Sequence, residues 1–365
     1  VPGEHSGVAR PAGTHRDPEE IAARLRPWLS GHAGAEATIT DLQIPESNGM
    51  SCETVLFDAS WDGAKHQLVA KIAPDPGAVP VFPTYDMGRQ FRVMRAVAEH
   101  SQVPVPQMRW LEENTGVLGV PFFVMQRLYG EVPPDVMPYN FGSWLSEASE
   151  ADQRRLQDNS VNVLAGLHAI DVNQVSFLSP AGLSAHVASQ RAFYDWVCGD
   201  GIRSPLIEQG FAWLIEHWPA GEGDSVLSWG DARIGNIMYQ DFTPTAVLDW
   251  EMAALAPREV DLGWFIFLHR FFEDIAAGFD LPGMPNFLRR QDVCATYERL
   301  TAYQPKDLDF YLVYAALRHA IIMFRIQARA IHFGEAEVPA DPDEMIMHRE
   351  TLKAMLAGTY WDGVK

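Results

Sequence analysis

Three cysteines in 365 residues are too few and too scattered for a cross-linked framework. Cys52, Cys198 and Cys294 form no Cys-x-x-Cys pair, so neither a disulfide scaffold nor a zinc site follows, and a reducing, cytoplasmic setting is expected. No apolar run reaches the roughly 18 residues of a membrane span, and no membrane partner is expected. Residues 1–16 lack the apolar core of a signal peptide and read as a flexible tail. Positive charge is also scarce. Against 48 Asp and Glu there are 28 Lys and Arg, a formal net charge of −20, so nucleic acid, which is held through a basic footprint, is not an expected partner. Such acidity can attract a cation, but more often it only keeps a protein soluble, and it locates no site.

What is present is ordinary globular composition, 47% hydrophobic and 21% charged, over a length sufficient for two cores. Asp17, Pro18, Glu19 and Glu20 form a helix start, predicting a helix over 17–29. Strand-like runs follow at 39–44, 54–61, 67–73, 108–112 and 121–128. They are interrupted by one helix near 84–99, where Met87, Phe91, Met94 and Val97 recur at helical spacing. Val103-Pro104-Val105-Pro106 closes that helix. The composition shifts at Gly130-Glu131-Val132-Pro133-Pro134, and beyond it the chain is mainly helical: 150–169, capped by Ser149, then 184–197, 204–217, 260–277, 288–300, 307–332 and 343–357. The fold class is therefore α+β, with an antiparallel sheet domain over 17–129 and a helical domain over 130–365.

One stretch departs from this series. In "LSWGDARIGNIMYQDFTPTAVLDWE", residues 227–251, the runs 237–239 and 246–248 flank a turn, and the hairpin ends carry Asp231, Asn236 and Asp249. An amide and a carboxylate side by side suit a hard divalent cation, and a further carboxylate could accept a proton from an attacking hydroxyl. Taken alone, the spacing is explained as well by a plain acidic turn.

The order of several short motifs decides between these readings. "WGDARIGNIMY…AVLDWE" resembles the signature of the aminoglycoside phosphotransferase/choline kinase-like family, which reads H-G-D-x-x-x-x-N and then a strand ending in Asp. "LVAKIA", "VPVPQM", "FFVMQRLYG", "GLHAID" and "PREVDLGWF" match further family segments in order. The resemblance implies a bilobal kinase-like fold and transfer of the γ-phosphoryl group of ATP, with Mg2+, to a hydroxyl of a small molecule, an aminoglycoside or another alcohol. It gives Asp231 the role of catalytic base and makes Asn236 and Asp249 the metal ligands. Arg233 falls near the transferred phosphoryl. A plain surface arginine paired with a carboxylate is the alternative there.

By the same resemblance Lys71 reaches the nucleotide phosphates, and Val69, on the same strand face, touches the base. Ser47, Asn48, Gly49, Met50 and Ser51 cover the phosphates, where Gly49 permits close backbone approach. Gln126, Leu128 and Met238 complete the nucleotide set. Asp261 is implied to accept hydrogen bonds from the catalytic loop, and His168 reads as a packed structural histidine. The aromatic run Trp264, Phe265, Phe267, Phe271, Phe272 marks a helix buried on all sides.

The sequence departs from the family pattern in three places. Trp229 replaces the usual His, Asp249-Trp250-Glu251 stands where a protein kinase has Asp-Phe-Gly, and Gln90 occupies the position of the glutamate expected to pair with Lys71. Gln90 keeps open a second expectation, a kinase-like nucleotide binder with little or no activity.

Overall fold

The computed structural model describes residues 16–45, 51–75 and 78–363, and the chain divides into two compact units. The first takes in the chain up to Gly88, with Met108–Arg127 and Arg325–Val338; the second comprises Arg89–Gln107, Leu128–Phe324 and Pro339–Lys365.

The first unit is built on a five-stranded antiparallel sheet in the order β1-β2-β3-β5-β4. Its strands are β1 (Thr38–Gln43), β2 (Glu53–Trp61), β3 (Ala64–Ile72), β4 (Met108–Glu112) and β5 (Phe122–Gln126). Burial alternates along β2, with Val55, Phe57 and Ala59 inward, because successive side chains leave opposite faces of a strand. Fully burying a Val or Phe side chain contributes about 1.5–3 kcal/mol, so this face fixes the register. Helix α1 (Pro18–Ala33) covers the sheet with Ile21, Leu25 and Leu29. Its start is as expected: Asp17 accepts a hydrogen bond from the Glu19 amide at 2.9 Å, and Pro18 stands in the first turn. Arg16, assigned to the tail by its sequence, forms an ion pair with Glu53 at 3.5 Å.

The second unit is mainly helical. Helix α2 (Met87–His100) begins at its border with the first. The helices α3 (Glu150–His168), α4 (Leu183–Val197), α5 (Pro205–Glu216), α6 (Arg258–Gly278), α7 (Arg290–Thr301), α8 (Leu308–His332) and α9 (Arg349–Leu356) follow, the end of α8 belonging to the sheet unit. Ser149 caps α3 through a bond from the Asp152 amide at 3.1 Å. The single helix expected over 343–357 is broken into a short 3-10 turn, Pro342–Met345, and α9. The cause is Asp343. Its buried carboxylate accepts from Ser204 Oγ at 2.6 Å and the Leu206 amide at 3.2 Å, which ties that segment to the start of α5.

Two small antiparallel pairs set the loops of interest. The strands β7 (Ile237–Gln240) and β8 (Thr243–Val247) form the expected hairpin, its turn tightened to Asp241-Phe242, both at positive φ. That primed geometry matches the twist of paired strands. The pair β6 (Ser225–Ser228) and β9 (Ala254–Pro257) is not visible in the sequence pattern, yet it brackets everything between. Asp231 lies between β6 and β7, and Asp249 between β8 and β9.

Candidate functional site

The loop after β6 is held from below by one carboxylate. Asp261, fully buried in the first turn of α6, accepts from Ser228 Oγ at 2.7 Å and from the amides of Trp229 at 2.8 Å and Gly230 at 2.9 Å. It also bonds His168 Nε2 at 3.1 Å, and His168 Nδ1 shares a 2.7 Å bond with the Tyr297 hydroxyl. Burial pushes the Asp261 carboxyl up, but His168 and the loop donors outweigh it and hold it below the usual range. His168 is thus a buried strut.

From above, Arg318 Nη2 donates to the Gly230 carbonyl at 2.9 Å while its guanidinium lies 4.4 Å over the Trp264 ring. Gly230 sits at φ 91°, and a Cβ there would come within 2.1 Å of the Met252 carbonyl oxygen, so only glycine fits. Trp229, the departure from His, is fully buried. Its Nε1 donates to the carbonyls of Leu248 at 2.9 Å and Asp249 at 3.0 Å, fastening the two loops together.

Asp231 emerges from this frame with three donors on its carboxylate. Trp264 Nε1 donates to Oδ1 at 2.8 Å; Arg233 Nε at 3.0 Å and Asn236 Nδ2 at 2.7 Å both donate to Oδ2. A carboxylate offers about four lone-pair directions, so Oδ2 is full and Oδ1 keeps one. Arg233 also donates from Nη1 to Asp135 Oδ2 at 2.5 Å. Burial pulls the Arg233 guanidinium down, but the charges of Asp231 and Asp135 prevail and push it up, so it stays charged.

Asn236, 6% exposed, fixes its amide by donating from Nδ2 to the Asp231 carboxylate and, at 3.1 Å, to the Asp231 carbonyl. The opposite atom, Oδ1, makes no hydrogen bond among the described residues. The Leu248 amide donates to the Asn236 carbonyl at 2.9 Å, which brings the end of β8 alongside. Asp249 follows there in a left-handed conformation, φ 61°, strained for a residue with a Cβ.

The remaining sequence-based candidates are distributed as follows. Lys71 lies on β3 in the sheet unit, half-buried, its Nζ donating to Thr54 Oγ1 at 3.3 Å; the two are paired across the ladder. Val69, two residues earlier on the same face, is buried, and Gln126 ends β5 opposite Leu68. Ser51 is half-buried ahead of β2, whereas Ser47, Asn48, Gly49 and Met50 lie outside the described residues. Leu128 and Met238 are half-buried in the helical unit, and Gln90 is buried on α2 at 5% exposure.

Sequence reasoning missed two partners of this site. Trp264 was read as core, and its ring is buried, but its indole nitrogen contacts Asp231. Asp135 carried no signal at all, since nothing in its neighbourhood points 98 residues ahead to Arg233.

Comparison with known proteins agrees with this frame. The chain belongs to the phosphotransferase enzyme family (APH), whose model matches residues 49–302, more than two thirds of its length. Its α+β fold aligns with a crystal structure of a candidate aminoglycoside phosphotransferase from Ralstonia eutropha. The TM-score is 0.66 at 22% identity, over 93% of this chain and 98% of that one. Aminoglycoside phosphotransferase APH(4)-Ia, in a ternary complex with ADP and hygromycin B, aligns at TM-score 0.56 and 14% identity, over 91% and 98% of the two chains.

Among curated sequences, a probable acyl-CoA dehydrogenase of Arabidopsis thaliana, IBR3, is 23% identical over 77% of this chain and 35% of its own length. Human acyl-CoA dehydrogenase family member 11 is 26% identical over 68% and 30%. The chain thus spans about a third of the length of these curated relatives. Among the described residues no helix is long and apolar enough to cross a membrane.

Proposed function

We propose that the protein transfers the γ-phosphoryl group of ATP, with Mg2+, to a hydroxyl of a small molecule. The observation that carries this reading is the state of Asp231. Its Oδ2 is saturated by Arg233 and Asn236, and its Oδ1, oriented by Trp264, keeps one acceptor direction for an incoming hydroxyl. There it would orient the hydroxyl and take its proton. Arg233, kept charged beside it, would stabilise negative charge developing on the transferred group.

The residues present fit a Mg2+ ion. Among the described residues no three His, Cys, Asp or Glu form a metal cage, but Mg2+ bound with substrate phosphates needs only one or two protein carboxylates. Asn236, its nitrogen engaged and Oδ1 open, and Asp249 beside it would supply the ligands. Bound there, the ion would neutralise phosphate charge.

The nucleotide contacts in this reading are Lys71 to the phosphates, Val69 to the base, the segment 47–51 over the phosphates, and Gln126 and Leu128 at the base edge, with Met238 completing the set. A sheet domain over 17–129 and a catalytic domain over 130–365 belong to the same proposal. Solved relatives carrying ADP, AMP-PNP or GDP support a nucleotide in general.

For the acceptor, the acids that a polycation would seek are engaged elsewhere. Asp195 pairs with Arg203 at 2.7 Å, Glu259 bonds the Tyr303 hydroxyl, Glu273 bonds Asn140, and Asp274 bonds Arg270 and Tyr360. Asp200 accepts the Ile202 amide. These contacts single out none of the five as the lining of a polycation pocket, so uncharged alcohols and aminoglycosides are both acceptors to test.

The test is ADP formation from MgATP across sugars, aliphatic alcohols, hydroxylated acyl thioesters (for the acyl-CoA dehydrogenase relatives) and aminoglycosides. Asp231→Asn should bind nucleotide normally and lose about 10²–10⁴-fold in turnover. Near-normal turnover in that variant removes Asp231 from the mechanism. Nucleotide binding without ADP formation in the natural protein would instead favour the binder reading, to which the amide of Gln90 points.

A further inference from the structure

We propose that Asp135 is a positioning residue for phosphoryl transfer, clamping the Arg233 guanidinium jointly with Asp231 so that its remaining edge faces the reacting group. This rests on the function proposed above, which gives Asp135 no role.

A guanidinium is a planar fork with five N–H donors. One carboxylate leaves it free to swing about a single bond, whereas two carboxylates on different segments fix its plane. Here Nε is held by Asp231 at 3.0 Å and Nη1 by Asp135 at 2.5 Å. Nη2 makes no hydrogen bond among the described residues, so one edge of the fork is left to meet an anion.

The arm that carries Asp135 is itself braced. Glu131 and Tyr239, on β7, exchange both backbone hydrogen bonds at 2.8 Å, and the Tyr139 amide closes a turn onto the Pro134 carbonyl at 2.8 Å. The catalytic loop leaves room for the pair. A Cβ at Gly235 would stand 2.5 Å from Arg233 Nη1 and 2.6 Å from Asp135 Oδ1, so this glycine serves the clamp by its size, not by its backbone freedom. Nor is the pair a core feature: the Asp135 side chain is 37% exposed, and ion pairs so placed contribute little to folding. Geometry of the arginine is what the arrangement provides.

The test is a double-mutant cycle on ADP formation from MgATP, with the best acceptor of the panel or with water. Asp135→Asn should lower kcat by about tenfold or more while the Kd for ATP stays within about twofold. In an Arg233→Ala background it should lower kcat no further, because its whole effect passes through that side chain. Gly235→Ala, which displaces the pair without touching either charge, should reproduce the kcat loss with ATP affinity intact. Wild-type kcat in Asp135→Asn, or losses that add in the double variant, would overturn the proposal.

A second readout needs no turnover. The Arg233 ¹⁵Nε–¹H signal should be protected from solvent exchange in the natural protein and lose protection in Asp135→Asn. If no acceptor yields ADP, the phosphotransferase reading falls and this signal alone judges the clamp. Protection lost on substitution upholds it, and a signal unprotected in the natural protein refutes it.

Discussion

The sheet unit and the helical unit bury different things. Along β2 and β3 the inward positions are Val55, Phe57, Ala59, Leu68 and Ala70, Thr54 and Lys71 are half-buried on the other face, and the unit's buried charged side chains are few, Glu53 and Arg329 among the described residues. The helical unit buries many more polar and charged side chains, Asn140, Gln157, Ser160, His168, His186, Asn236, Asp261, His269, Arg318, His319 and His348 among them. A sheet satisfies its backbone groups through its own ladder and needs only an apolar face to define its register. A catalytic loop has no ladder. Its amides and carbonyls must be met one at a time by side chains, and those side chains must be buried to stay in place. The difference teaches that stability and site geometry share residues in one unit and are largely separate in the other.

The largest test of that difference is acid. Burial holds His186 and His269 down to about 3, each helped by a neighbouring arginine, and holds His348 down to about 4. His319 is also pushed well below its usual range by burial, then by His348 and Arg233. A histidine lowered in the folded state takes up its proton only on unfolding, so stability declines as pH drops below about 6.5. All four shifts have the same sign, so their contributions reinforce one another as the pH falls below about 6.5. Urea midpoints should therefore fall steeply over this window. Hydrogen exchange should open first in α4, α6 and the first half of α8. A flat midpoint down to pH 5 would show that these histidines do not resist protonation.

A smaller but sharper effect is expected from Asp261→Ala. Removing the carboxylate leaves Ser228, the Trp229 and Gly230 amides and His168 without their acceptor. Each buried unsatisfied group costs about 1–3 kcal/mol, and a loss of about 3–5 kcal/mol overall is reasonable after relaxation. Thermal unfolding measures it. Turnover should fall with it even at temperatures where the variant is folded, because the same bonds aim Asp231. A variant destabilised this far yet fully active would separate the frame from the site and break the comparison.

How much of this was legible in the sequence follows the same division. In the sheet unit β2 announces itself by alternation and β5 by a continuous apolar run, and the helices α1 and α3 announce themselves by their caps Asp17 and Ser149, because these signals are local. The hairpin was legible for the same reason, whereas Asp231, Asn236 and Asp249 stood out only through resemblance to a family motif, since their spacing alone fits a plain acidic turn. The β6–β9 pair was not, since four-residue strands such as Ala254–Pro257 carry no alternation. Nor were the partners Trp264 and Asp135. A buried aromatic at helical spacing looks like any other core residue, and an acid in a proline-rich turn looks like solvent-facing charge. What they do depends on contacts that only the folded chain creates.

The smallest expected effect lies in the sheet. Thr54 Oγ1 accepts the Lys71 ammonium at 3.3 Å between directly paired, half-buried positions of β2 and β3. Thr54→Val keeps the β-branched shape that suits a strand and removes only the oxygen. A single hydrogen bond between half-buried positions contributes about 1 kcal/mol, so its loss should cost several times less than Asp261→Ala. Unfolding of the two variants side by side gives the ratio. If Thr54→Val proves as damaging as Asp261→Ala, the sheet too depends on a polar contact for its stability, and the contrast between the units fails. If it is nearly silent in stability but changes the affinity for ATP, then Thr54 serves to place Lys71 and not to hold the strands, which would extend to the sheet the kind of positioning that Asp261 performs in the helical unit.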